Sequence, residues 1–144
     1  MQIDLNKYTE FVEAITSNES EKISHFVGSL YRVDANCDEV QDTYGPCVNV
    51  PLLLTGAMGM CGEAGEFSEI VKKVLLHNKK LDDEVHAHMV KELGDVIWYW
   101  TNTCRALGVD PNDVIAANVK KLEARYPGGK FDASSSANRA AGDV

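Results

Sequence analysis

The sequence predicts an all-α protein, a helical bundle, and three observations predict it. Apolar residues recur at steps of three and four along most of the chain, the spacing that gathers them on one face of a helix. Residues that start and stop helices stand where the pattern needs them. Asp4 and Asp110-Pro111 open segments, and Gly108 and Tyr126-Pro127-Gly128-Gly129 close them. No segment holds a clear strand alternation. The apolar run from Val48 to Leu54 resembles a strand by composition, but it continues without a break into a helical pattern.

The elements follow in order. Leu5, Tyr8, Phe11, Val12 and Ile15 form the first apolar stripe, with Asp4 as its N-cap. Ile23, Phe26, Val27, Leu30 and Tyr31 form a second, with Asn18 and Glu21 spaced as a capping box at its start. Residues 34–48 read as a loop, because Asp34-Ala35-Asn36 and Gly45-Pro46 are turn chemistry. A long helix is expected from about Asn49 to His77. Its first half places Gly56, Gly59, Gly62 and Gly65 at intervals of three. Each glycine costs a helix roughly 1 kcal/mol against alanine. Four in a row therefore point to close backbone approach by another helix or a ligand, the alternative being a kinked or partly unwound segment. After a turn at Asn78 to Asp83 comes a helix to about Leu107, with Val85, Met89, Leu93, Val96, Trp100 and Cys104 along one stripe. A last helix runs from Pro111 to about Arg125. The Ser- and Ala-rich residues 132–144 read as a mobile tail, leaving residues 1–131 as one domain.

Composition narrows the function classes. The chain has 144 residues and a net charge of −8, from 22 acidic and 14 basic side chains. That balance argues against a nucleic-acid partner, which wants a basic face. An acidic protein that binds phosphate needs metal ions or a local cationic cluster. No apolar stretch is long enough to cross a bilayer, and no signal peptide is visible, so a cytoplasmic protein without membrane partners is expected. The cysteines, Cys37, Cys47, Cys61 and Cys104, fit neither a zinc nor a redox spacing. Cys61 and Cys104 fall inside helical patterns and are expected to be buried thiols. A Cys37–Cys47 pair across the loop is disfavoured by a reducing compartment.

Two acidic pairs carry the chemistry. Glu63-Ala64-Gly65-Glu66 and Glu92-Leu93-Gly94-Asp95 each place two carboxylates three residues apart, on one helical face. Like charges at that spacing repel. If the two helices pack antiparallel, four hard oxygen ligands converge, a set suited to magnesium, with manganese as a substitute. Gly62, Gly65 and Gly94 beside them leave room for a hydrated ion and a phosphate chain. Asn118, Lys121 and Arg125 step by three and four along the last helix, a polar and cationic stripe able to meet phosphate oxygens. Each feature alone has an ordinary reading as a solvated surface. Together they make a site for a metal-bound polyphosphate.

These residues resemble a known family. Gly62-Glu63-Ala64-Gly65-Glu66, then Glu92-Leu93-Gly94-Asp95, then Asn118-x-x-Lys121-Leu122-x-x-Arg125-Tyr126-Pro127 are similar to the motifs of the MazG-type all-α nucleoside triphosphate pyrophosphohydrolases. The likeness covers residues 49–131 well and 4–17 more loosely, and it is greatest to short single-domain versions carried by bacteriophages. In that case the cytoplasm would be the host's. Residues 20–47 depart from the minimal pattern as an insert.

The resemblance implies a four-helix core of that family's type and a homodimer or homotetramer. It also implies hydrolysis of a (deoxy)nucleoside triphosphate to a monophosphate and pyrophosphate. Glu63, Glu66, Glu92 and Asp95 would hold magnesium. Lys73, Asn118, Lys121 and Arg125 would contact phosphates, with Tyr126 and Lys130 as further candidates. Water made acidic by the metal would attack the α-phosphorus. One glutamate of the first pair, Glu66 or else Glu63, would take its proton. Glu69 is either a supporting group or the i,i+4 partner of Lys73. Trp98 is the candidate to stack on the base, although aromatic residues in mid-helix more often serve the core. His86 and His88 lie two apart and point in different directions, which disfavours zinc. Alternatives are a hydrolase of an alarmone or modified nucleotide, and a non-catalytic nucleotide or metal sensor on the same scaffold.

Overall fold

Asp4 opens the first helix because its carboxylate accepts hydrogen bonds from the otherwise orphaned N–H groups of Asn6 (3.1 Å) and Lys7 (3.3 Å). The computed structural model describes residues 4–34 and 48–138. It divides the chain into two compact units, Met1–Val50 and Pro51–Val144.

In the first unit, α1 spans Leu5–Ile15, α2 Asn18–Glu21 and α3 Ile23–Val33. The predicted capping box at Asn18 and Glu21 is not one. Asn18 is the first residue of α2, a separate four-residue helix, and its side chain takes a hydrogen bond from Lys22 Nζ at 2.7 Å. With Lys22 extended, α3 starts afresh at Ile23. The first apolar stripe forms as expected, yet Leu5, Tyr8, Phe11, Val12 and Ile15 all stay exposed. Asp34 and Val48 make an isolated parallel bridge, and Asp34 Oδ2 accepts from the Val50 N–H at 3.4 Å. Most of the predicted loop, with Cys37 and Cys47, lies outside the described residues.

In the second unit, α4 (Val50–Leu76) is continuous, so its glycines do not unwind it. Asn78, at φ 53°, ends the helix, and the Lys79 N–H reaches back to the Lys73 carbonyl at 3.0 Å. Asp82 caps α5 (Asp83–Ala106) by accepting from the Val85 N–H at 3.0 Å. Gly108, at φ 67°, closes it. The Gly108 N–H bonds to Arg105 O and the Val109 N–H to Cys104 O, the paired bonds of a Schellman turn. Asp110 then caps α6 (Pro111–Arg125) with Pro111 at its first position. A short α7, Ala133–Ala137, is capped by Asp132. Among the described residues there is no strand, and the all-α expectation holds.

α4 and α5 pack closely and antiparallel, since Gly56 and Gly59 meet Thr103 and Tyr99 while Glu63 meets Glu92 and Asp95. On α4 the inward row is Gly56, Gly59, Glu63, Phe67, Ile70. On α5 it is Val85, Met89, Glu92, Val96, Tyr99, Thr103. Both rows step by three and four, the seam spacing of packed helices. That register corrects the apolar stripe read from sequence. Leu93 is 50 % exposed and Glu92 only 6 %, because Glu92 falls seven residues after Val85, on the seam line, and Leu93 falls beside it. Cys104 is buried as expected, whereas Cys61 is exposed, two residues from both Gly59 and Glu63 and hence on the far side of α4.

Candidate metal centre

The seam brings one oxygen each of Glu63, Glu92 and Asp95 within 4.8 Å of one another. Glu63 and Glu92 belong to the inward rows, and Asp95 stands one turn beyond Glu92. Glu92 is buried, Glu63 half-buried and Asp95 exposed, so the cluster opens from the seam towards solvent. Glu66 is exposed and does not join the three-oxygen group, although its charge reaches Glu63. The Glu63 carboxyl is pushed above its usual range by desolvation first, then by a hydrogen bond with Glu92 and by the charges of Glu66, Asp95 and Glu92. Carboxyl groups crowded in this way are short of positive charge.

The donor set fits a hard divalent cation. All three donors are oxygens, with no thiolate or imidazole among them. Magnesium at about 2.1 Å from each ligand holds two donor oxygens at most about 4.2 Å apart. The 4.8 Å set needs only a small inward adjustment. A Cβ built at Gly62, Gly65 or Gly94 meets nothing within 4 Å, so the glycines beside the acidic residues in the chain are open positions.

The other expected site residues are distributed more widely. Lys73 Nζ lies 3.5 Å from Glu69 Oε1, the i,i+4 pair that the sequence allowed, and Lys72 is paired with the same carboxylate. Hydrogen bonding from Lys72 holds Glu69 below the usual carboxylate range. Asn118 and Lys121 are exposed on α6, and Arg125 is half-buried at its end. Tyr126 and Lys130 line an open cleft of about 300 Å³ with Leu122, Glu123, Gly129 and Phe131. The Tyr126 and Phe131 rings lie 6.0 Å apart. Trp98 is 58 % exposed and meets Tyr99 edge to face, with ring centroids 4.8 Å apart. It stands one turn past Asp95, outside the core that mid-helix aromatics usually fill.

One neighbour escaped the sequence reading. His88 Nε2 lies 2.7 Å from Glu92 Oε1, close enough for a protonated Nε2 to donate to the carboxylate. The signal was its place four residues before Glu92, which puts both on one helical face.

Known proteins bear on the same residues. The MazG nucleotide pyrophosphohydrolase domain matches residues 54–129, a span holding both acidic pairs and the α6 stripe. The chain is also 31 % identical over 106 residues to the Gene 37 protein of Mycobacterium phage L5, covering 73 % of this chain and 93 % of that one. No solved structure matches. The acidic seam, its glycine-lined surroundings and the matched span agree, and the chain belongs to the MazG nucleotide pyrophosphohydrolase family.

Proposed function

We propose that this chain is a magnesium-dependent pyrophosphohydrolase that converts a (deoxy)nucleoside triphosphate to a monophosphate and pyrophosphate, with manganese able to replace magnesium. The observation that carries it is the convergence of Glu63, Glu92 and Asp95 from two helices, in a span of the family's sequence. Glu63, Glu66, Glu92 and Asp95 would hold the ion. When bound, magnesium neutralises phosphate oxygens and makes water easier to deprotonate. The protein's share is to aim and to take a proton. Glu66 is exposed beside the three-oxygen cluster, which suits the base that accepts the proton of the attacking water. Lys73, Asn118, Lys121 and Arg125, with Tyr126 and Lys130, supply the charge and donors that steady the triphosphate and the departing pyrophosphate. Trp98 offers an exposed face on which the base can stack.

Incubation with deoxynucleoside triphosphates and magnesium should release pyrophosphate and the monophosphate in equal amounts. Glu66→Ala should lower turnover by about 10²–10⁴-fold, the loss expected for a general base, and Asp95→Ala should lower it comparably, both with unchanged helical content. Turnover unaffected by either change would remove the site.

The reading includes a homodimer or homotetramer working in a cytoplasm, the host's if a phage encodes the chain. The buried apolar side chains among the described residues are Val50, Ile70, Val85, Cys104 and Ala106, and no large side chain is fully buried. So thin a core is ordinarily completed by a partner subunit. Light scattering after gel filtration should give twice or four times the chain mass; a monomer would refute that part.

A further inference from the structure

We propose that His88 is a positioning residue for the metal centre, holding Glu92 in the orientation from which it can ligate. The assignment rests on the metal-site reading above and deepens it. Glu92 is the most confined of the three clustered carboxylates, with its side chain 8 % exposed. It lies in one cluster with Glu63 and Asp95 and takes part in a hydrogen bond with the Glu63 carboxyl. His88 is its contact outside that cluster. It sits one turn earlier on α5 and its Nε2–H engages Oε1 at 2.7 Å. Both Nε2-protonated forms of the imidazole make this bond, so the role does not depend on the ring's charge. His88 stands outside the three-oxygen group, which separates it from the ligands themselves. Its side chain is 54 % exposed, so truncation leaves no buried hole.

Partners that orient metal-ligating groups typically change metal affinity by about 10–100-fold when removed. The test compares Mn²⁺ binding to the full chain, read from the electron paramagnetic resonance of free Mn²⁺, with Mg²⁺ binding by calorimetry. His88→Ala should weaken both ions within that range. His88→Gln should recover most of the loss, because its amide nitrogen sits as far along the side chain as Nε2. Circular dichroism should show equal helical content in all three chains. Unchanged Mn²⁺ affinity in His88→Ala overturns the assignment alone, as does a His88→Gln chain no tighter than His88→Ala. An unaltered chain that binds neither ion overturns the metal site, and the His88 role with it.

Discussion

The glycine row of α4 divides into two halves that look alike in sequence and do opposite things. Gly56 and Gly59 are filled positions: a Cβ at Gly56 would collide with Thr103 Oγ1 and come within 3.1 Å of the Tyr99 carbonyl, and one at Gly59 would strike the Tyr99 ring. Gly62 and Gly65 are empty positions, with nothing within 4 Å. The first half lets two helix backbones meet. The second is open surface, with Gly62 next to Glu63 and Gly65 next to Glu66 in the chain. Identical spacing thus serves packing in one half and leaves the other open. The neighbours across the seam, and not the glycines themselves, tell the two apart.

The largest effect on stability should come from breaking the packed half. Gly56→Ala must displace Thr103, whose hydroxyl is pinned to the Tyr99 carbonyl at 3.0 Å. Overpacking of this kind costs about 1–3 kcal/mol, measurable by chemical denaturation. The empty half should respond with the opposite sign. Gly62→Ala or Gly65→Ala gains helix propensity of about 1 kcal/mol and meets no neighbour. The melting temperature should rise while pyrophosphate release falls. A variant that is both stabler and fully active would show that the space is unused.

The smallest effect should be electrostatic, because Glu63 is half-exposed and screened by solvent. Its folded-state pKa is raised above the ordinary 4.5, so between those values the folded chain binds a proton that the unfolded chain has released. Stability of the metal-free chain therefore falls as pH rises from about 4.5 through the raised value. Glu63→Gln removes that dependence. Metal-free, it should melt slightly above the parent at neutral pH, and the two should converge towards pH 4.5. A gap that widens on acidification would contradict the raised Glu63 pKa.

Much of this was legible in one dimension. Helix periodicity and capping chemistry are local. Asp4, Asp110-Pro111 and Gly108 announce their elements because a cap satisfies backbone groups within a turn of itself. The acidic pairs were legible too, since like charges three apart share a face whatever the fold. Their misreadings are equally physical. Leu93 was placed on the buried stripe and Cys61 in the interior because hydrophobic type was taken for burial. Packed helices bury whatever lies on the seam line, even a carboxylate such as Glu92.

The sequence by itself determined that the chain is helical, where α1, α4, α5 and α6 begin and end to within a residue or so, and which residues carry negative charge in pairs, because each depends on neighbours a few residues apart. Only the tertiary structure decided that Glu63, Glu92 and Asp95 share one centre while Glu66 stands beside it. It alone decided that Gly56 is filled and Gly62 open, and that His88 holds Glu92. These depend on the register of two antiparallel helices. A shift of one residue turns a helix face by about 100°, as the 3.6-residue turn requires, so register is settled by the fit of side chains across the seam.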